Sequence, residues 1–181
     1  MNAGILPSRY AQAIFGYATG CRAEDQVYDD LCRLAGAFAR VEALRKLAAS
    51  PLLPAADKAS ALLAACGKTE ADDSPTARIV RMVAANRRAD RMGAIARAYI
   101  DLYRHSKGIQ PARVTTPRPL ADSTARKIEA LVARATGCRS VMLQADTDPA
   151  LIGGFVLRVG DRLLDASVGK QLARMRQNLT D

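Results

Sequence analysis

The sequence has no tryptophan and only one histidine, His105. A His-based metal site, or a Ser-His or Cys-His nucleophile pair, would depend on that single residue. Cysteine is also scarce, and no two cysteines have the two-residue spacing of zinc and redox motifs; they are Cys21, Cys32, Cys66 and Cys138. The sequence therefore predicts no metal site, no cofactor and no catalytic residue.

Long apolar runs are absent as well. Charged residues interrupt the chain so often that no stretch reaches the roughly 20 apolar residues of a membrane-spanning helix. The first residues, Met1 to Arg9, lack the basic flank, apolar centre and cleavage site of a secretory signal, and they do not resemble a transit peptide. We expect a cytosolic protein of one domain or two small ones, because the chain has 181 residues.

Acidic residues are outnumbered by basic ones. The 27 lysines and arginines exceed the 18 aspartates and glutamates, which gives a net charge of +9. This charge suits an anionic partner, so a basic nucleic-acid-binding helical protein is an alternative function. The excess is diffuse, however, and its densest cluster, Asn86-Arg87-Arg88 with Arg91, falls at a predicted helix end, where cations favour the helix dipole. Nucleic acid normally requires a clustered patch, so the charge alone does not favour this alternative.

Alanine marks a change along the chain. Most alanines precede Gly108, whereas the longest β-branched and glycine-containing runs follow it. This shift predicts two domains of different class, a helical bundle over residues 1–107 and a compact α/β domain over residues 108–181. The predicted fold class is therefore α+β.

Apolar residues of the first part recur at helical spacing, which predicts five main helices joined by short polar links. The strongest stripe, from Val27 to Val41, extends toward Ala48 and predicts one long helix that Ser50-Pro51 ends. Four other helices are predicted. The first spans residues 6–20, another begins at Pro54 and ends at Gly67, the next begins with the N-cap Ser74 and Pro75, and the last runs from Met92 to Gly108.

The second part combines strand and helix patterns. Alternating apolar residues predict strands at 112–116 and 141–145, separated by a helix that Asp122 caps and Gly137 ends. A hairpin with a type II′ turn at Gly160-Asp161 follows. A final amphipathic helix would cover one side of the sheet; its apolar face contains Val168, Leu172, Met175 and Leu179.

Two groups of residues in the second part are candidates for chemistry. Glycine pairs bind phosphate where a helix begins, but Gly153-Gly154 precedes a predicted strand, which favours a structural role. Four aspartates would suit acid-base chemistry or a hard cation if they converged in a pocket, as in a small α/β enzyme. Their positions near turns favour turn and cap roles instead; they are Asp146, Asp148, Asp161 and Asp165.

Several motifs, in order along the chain, resemble those of one family. They are Arg9-Tyr10-Ala11-Gln12-Ala13-Ile14-Phe15, Asn86-Arg87-Arg88, Asp148-Pro149-Ala150-Leu151-Ile152-Gly153-Gly154-Phe155, Val159-Gly160-Asp161 and Asp165-Ala166-Ser167-Val168. Over nearly its whole length the sequence is similar to the delta subunits of bacterial F-type ATP synthases, whose mitochondrial counterpart is the oligomycin sensitivity-conferring protein. The resemblance implies a non-catalytic stator subunit that resists the torque of rotation.

The resemblance also implies an architecture and partners. It implies an N-terminal bundle of six helices, and a short turn near Ser50 to Leu53 would complete this count. The bundle would hold the N-terminal helix of an alpha subunit between its first helix and the helix before the Asn-Arg motif. Five residues would bind that helix: Tyr10, Ile14, Met82, Val83 and Asn86. The C-terminal domain would bind the b-subunit stalk, with a structural motif of Asp148, Pro149, Gly153, Gly154, Gly160, Asp161 and Asp165.

The resemblance implies no nucleic-acid partner and places the protein at the cytoplasmic face of the bacterial plasma (inner) membrane. The protein would be peripheral there, held to the membrane only through its complex.

Overall fold

A computed structural model describes residues 5–170 of the chain. The chain forms two compact units, Met1–Tyr103 and Arg104–Asp181. Within the described residues, the first unit is helical and the second contains helical segments and a four-stranded sheet, so the chain is α+β as predicted. The units divide inside a helix, four residues before the end of the predicted helical domain at residue 107.

Six α-helices precede the first strand in the described part of the chain: α1 (Ile5–Gly20), α2 (Glu24–Arg40), α3 (Glu42–Ala49), α4 (Ala55–Ala65), α5 (Pro75–Ala85) and α6 (Met92–Lys107). A 3₁₀ turn, Ala89–Arg91, leads into α6. The helix ends follow the local signals in the sequence. Ser74 caps α5, its Oγ accepting a 3.4 Å hydrogen bond from the Ala77 amide, and Gly67 and Gly108 follow helix ends with φ angles of +75° and +65°.

The prediction of one long second helix was wrong. Val41 is extended, at φ −105° and ψ 100°, and separates α2 from α3. A continuous helix would have kept Val41 on the buried face with Leu34 and Phe38. The break instead leaves Val41 47% exposed. Because the buried face of α3 is rotated relative to that of α2, Leu44 and Ala48 lie in the core.

The expected turn near Ser50 to Leu53 is not a sixth helix. Residues 51–53 form bends, and Leu52 is 91% exposed. The helix that the sequence pattern missed is α3, which arises from the division of the long stripe.

A buried ionic group joins three segments of the helical unit. Asp30 of α2, only 2% exposed, accepts a 2.7 Å hydrogen bond from the hydroxyl of the fully buried Thr76, in the first turn of α5. The ammonium of Lys68 lies 3.5 Å from the same carboxylate, and the guanidinium of Arg33 lies 3.4 Å from it. The contacts of Asp30 therefore fix the start of α5 against α2. Burial raises the pKa of the neighbouring Cys66 thiol to about 12, and the charge of Asp30 is the second cause.

The second unit contains a mixed sheet in the order β2-β1-β3-β4. Its elements are β1 (Ile109–Thr116), α7 (Asp122–Thr136), β2 (Ser140–Thr147), β3 (Val156–Val159) and β4 (Arg162–Asp165). Strands β1 and β2 are parallel, as the strand-helix-strand pattern predicts, and the other neighbours are antiparallel. The core forms where α7 packs on the sheet; its buried members are Ala112, Val114, Ile128, Val132 and Leu157.

The ends of α7 differ in how well the sequence predicted them. Gly137 ends the helix in the left-handed conformation, as expected. Asp122 is not the cap: Ala121 occupies that position without a side-chain bond, and its carbonyl accepts from the amides of Thr124 and Ala125. Asp122 lies in the first turn, where its charge favours the helix dipole.

The hairpin has the predicted turn residues. Gly160 has a φ of +57°, whereas Asp161 is not among the residues of positive φ, a combination that fits a type II′ turn. Residues 168–170 begin the expected last helix, and the predicted positions Leu172, Met175 and Leu179 lie outside the described residues. No helix within the described residues is both long and apolar enough to cross a membrane.

Candidate protein-binding groove

An apolar groove of about 300 Å³ lies between α1 and α5. Four aliphatic side chains, one tyrosine and one arginine line it; they are Ala13, Ile14, Tyr17, Arg78, Ile79 and Met82. Met82 is 42% exposed and Tyr17 38% exposed, whereas Ile14 and Ile79 are almost fully buried. The groove therefore has a closed apolar floor and two large side chains at its surface, an arrangement suited to the apolar face of a helix.

Helical spacing explains why these side chains share the groove. On α1, Ala11, Ile14 and Ala18 are buried, and the neighbouring positions Ala13 and Tyr17 follow each other at a spacing of four. On α5, the groove residues Arg78 and Met82 repeat the same spacing, while Val80, Val83 and Ala84 are buried. Each helix thus buries one stripe in the core and presents an adjacent stripe to the groove.

The polar contacts of the groove are at Arg78. Its Nε donates a 2.9 Å hydrogen bond to Oδ1 of Asp73, and Nη2 donates to Oδ2 of the same carboxylate. A hydrogen bond to Asp73, followed by one with Tyr17, raises the pKa of Arg78, and the Arg78 bond lowers the pKa of Asp73. Both charged side chains are more than half exposed, so this forked pair orients Arg78 more than it stabilises the fold.

Two of the five predicted binding residues, Ile14 and Met82, line the groove. Tyr10 is half-buried one helical turn before Ile14, and Asn86 is exposed one turn after Met82. Val83 is fully buried in the core.

Four lining residues were not predicted from the sequence: Ala13, Tyr17, Arg78 and Ile79. Tyr17 lies three residues after Ile14, at helical spacing, so it could have been included. Arg78 lies four residues before Met82, so helical spacing placed it on the same face, but its charge gave no sign of a groove.

The densest basic cluster ends α5. Arg87 has a φ of +57°, and the amides of Arg87 and Arg88 donate to the carbonyls of Ala84 and Val83, which is the hydrogen-bond pattern of a Schellman motif. Arg91 is paired with Asp90 at 3.0 Å. The cluster therefore has a local role in ending the helix, as its position in the sequence suggested.

In the second unit, the glycine pair lies where another backbone segment approaches. Gly154 has a φ of +81°, and a Cβ at this position would lie 2.3 Å from the carbonyl oxygen of Ala166. The Gly153 carbonyl accepts a 3.0 Å hydrogen bond from the Val168 amide. This close approach accounts for a glycine at 154 without a bound phosphate.

Three of the four candidate aspartates of the second unit have local contacts. Asp148 and Ala150 flank the exposed Pro149, and the Asp148 carboxylate accepts a 2.9 Å hydrogen bond from the Ala150 amide. The Asp165 carboxylate accepts a 3.0 Å hydrogen bond from the Ser167 amide. Hydrogen bonds from Ser167, with a contribution from the charge of Lys170, lower the pKa of Asp165. Asp146 lies 3.3 Å from the Arg113 guanidinium, and Asp161 is exposed in the hairpin turn.

No group of three or more His, Cys, Asp or Glu side chains within residues 5–170 is arranged to hold a metal ion. The convergence of carboxylates that a small α/β enzyme would require is not seen among these residues either, because Asp146, Asp148 and Asp165 contact separate local groups.

Comparisons with known proteins agree over nearly the whole chain. The family model described as ATP synthase delta (OSCP) subunit matches residues 6–179. ATP synthase subunit delta of Phocaeicola vulgatus is 36% identical over 177 residues, which cover 98% of this chain and 95% of that protein. ATP synthase subunit delta of Parabacteroides distasonis is 34% identical over 181 residues, covering 100% and 99%.

The fold is also similar to one in a solved structure. A chain in the cryo-EM structure of the Toxoplasma gondii mitochondrial ATP synthase hexamer aligns with a TM-score of 0.67 and 22% identity. The alignment covers 97% of this chain and 98% of that chain. At this identity the likeness concerns the fold.

Proposed function

The chain belongs to the ATP synthase delta (OSCP) subunit family, and from that premise we propose that its groove between α1 and α5 receives the N-terminal helix of an alpha subunit. The protein is a non-catalytic peripheral-stalk subunit of an F-type ATP synthase. The observation that carries the proposed contact is the groove itself, which is lined mainly by apolar side chains and is open at the surface.

The second half of the proposal is a mechanical link. The helical domain, residues 1–107, forms a six-helix bundle on the catalytic head, and residues 108–181 bind the C-terminal helices of the b-subunit stalk. A chain attached at both ends holds the head against rotation, so that torque drives ATP synthesis coupled to proton transport. Its task is tight attachment, and a nanomolar contact corresponds to about 12 kcal/mol.

We place the protein at the cytoplasmic face of the bacterial inner membrane. It belongs to a membrane-bound complex through its family, and its own association is peripheral. The subunits of that complex are its partners.

Replacing Tyr10 or Met82 by alanine tests the groove. Each change is expected to weaken binding of a peptide copying the alpha-subunit N-terminus by about 1 to 3 kcal/mol, because interface energy concentrates in a few large anchors. The fold should be unaffected, since Met82 is 42% exposed and Tyr10 is half-buried. Isothermal titration calorimetry with the full chain measures the affinity.

Leu52→Ala is the matched control, because Leu52 is an apolar residue of the same unit, 91% exposed and outside the groove. Its affinity should equal that of the unsubstituted chain. Unchanged affinity in both Tyr10→Ala and Met82→Ala would remove the groove as the alpha-subunit site.

A further inference from the structure

We propose that Arg78 is a specificity-determining residue of the groove, selecting a partner helix that carries a carboxylate side chain beside its apolar stripe. This inference rests on the proposed function, since it concerns the chemistry of the helix that the groove receives. It adds a polar requirement to a contact that is otherwise apolar.

The composition of the groove favours a charged partner for Arg78. Among the six described residues that line it, Arg78 is the only charged one. A helix that binds beside Ile79 and Met82 removes water from the guanidinium, and a charge that loses water must gain a partner. A carboxylate on the bound helix supplies that partner.

The existing pair with Asp73 leaves hydrogen-bond donors on Arg78 for a second acceptor. The Asp73 carboxylate accepts hydrogen bonds from Nε and Nη2 of Arg78, along one edge of the planar guanidinium. A guanidinium has further N–H donors on Nη1 and Nη2, and Tyr17 engages only part of this capacity. Arg78 is therefore able to hold Asp73 and bind a second acceptor at once.

The side chain of Arg78 is also preorganised for binding. The Asp73 fork and the Tyr17 contact fix a long, flexible side chain at the groove before any partner arrives. Ordering such a side chain on binding would otherwise oppose association. Arg81 also lies close enough to lower the pKa of Asp73, so two arginines share this one carboxylate.

The geometry also limits how a helix binds. Apolar contacts are non-directional, so the uncharged lining residues alone would not select a register, whereas the guanidinium of Arg78 pairs only with a carboxylate that lies next to it. Arg78 thus fixes the register and direction of the helix as well as adding affinity.

The test is a double-mutant cycle by calorimetry on the full chain. The probe is the alpha-subunit N-terminal peptide from the same organism, together with versions in which each Glu or Asp is changed singly to Gln or Asn. Arg78→Gln is expected to weaken binding of the unsubstituted peptide roughly tenfold. One acidic position of the peptide should account for this loss, so that changing it weakens binding to the unsubstituted chain but not to Arg78→Gln.

Arg45→Gln is the control, because it removes an equal charge from an exposed residue outside the groove and should leave affinity unchanged. Arg78→Lys should recover only part of the affinity, since it keeps the charge but loses the fork. Equal binding of the peptide by Arg78→Gln and the unsubstituted chain would overturn the role of Arg78 while leaving the groove intact. Loss of affinity in Arg78→Gln with no coupling to any acidic position would overturn the carboxylate requirement. Absence of binding by the folded, unsubstituted chain would overturn the proposed function as well.

Discussion

Replacing Asp30 by alanine is expected to lower the free energy of unfolding by about 3 kcal/mol. The change removes the acceptor of the Thr76 hydroxyl, which is fully buried and has no access to water. It also removes the carboxylate near Lys68 and Arg33, so that the loop before α5 loses its link to α2.

The loss of this link should also affect the groove, because Thr76 lies in the first turn of α5, two residues before Arg78.

Urea unfolding followed by circular dichroism measures the free energy of unfolding of the Asp30→Ala variant. Asp29→Ala is the control, since Asp29 precedes Asp30 on the same helix and is exposed; it should change stability by no more than about 0.5 kcal/mol. Similar stabilities of the two variants would show that the buried ionic group does not hold α5.

Replacing Gly154 by alanine should destabilise the second unit by about 4 kcal/mol. The new Cβ would lie 2.3 Å from the Ala166 carbonyl oxygen and 3.0 Å from the Cα of Ser167, both of which are backbone atoms. The φ of +81° is also unfavourable for alanine. Relief of the contact requires separation of the two segments, which costs the hydrogen bonds from the Ala166 amide to Phe155 and from the Val168 amide to Gly153.

Hydrogen exchange measured by NMR gives a local readout of this change. The Ala166 and Val168 amides should exchange much faster in Gly154→Ala, because their hydrogen bonds are the ones that must open. Gly169→Ala is the control: a Cβ there would meet nothing within 4 Å, and its φ is not positive. Exchange that is equally slow in both variants would contradict a need for glycine at 154.

The sequence predicted the features that depend on short spacing. Ser74-Pro75, Gly67 and Gly137 mark helix ends because capping and the left-handed conformation are decided within a few residues. The strand-helix-strand unit and the hairpin at Gly160 followed from alternation and turn chemistry in the same way.

The features that depend on tertiary packing were not predictable in this way. The stripe from Val27 to Val41 suits a continuous helix, and only packing decides that Leu44 and not Val41 enters the core. The hydrogen bond between Asp30 and Thr76 joins residues 46 positions apart, so no local sequence pattern predicts it. In the groove, Ile14 and Met82 were identified through the resemblance, whereas Arg78 required the position of α1 against α5.

The buried ionic group and the groove have a common consequence for a stator. A subunit under torque must keep its binding surface in shape while its partners pull on it. The Asp30 group holds the start of α5 to α2, and α5 forms one wall of the groove. The stability of the unit and the proposed attachment of the alpha-subunit helix therefore both depend on α5.

Chemical-shift mapping of the full ¹⁵N-labelled chain with the unlabelled alpha-subunit N-terminal peptide tests whether the groove receives this helix. We predict saturable changes that are largest at Ala13, Tyr17, Ile79 and Met82, which line the groove on α1 and α5. The changes should persist at high salt, because the contact is mainly apolar. Largest changes within residues 108–170, or no changes in a folded chain, would contradict the assignment of the alpha-subunit helix to this groove.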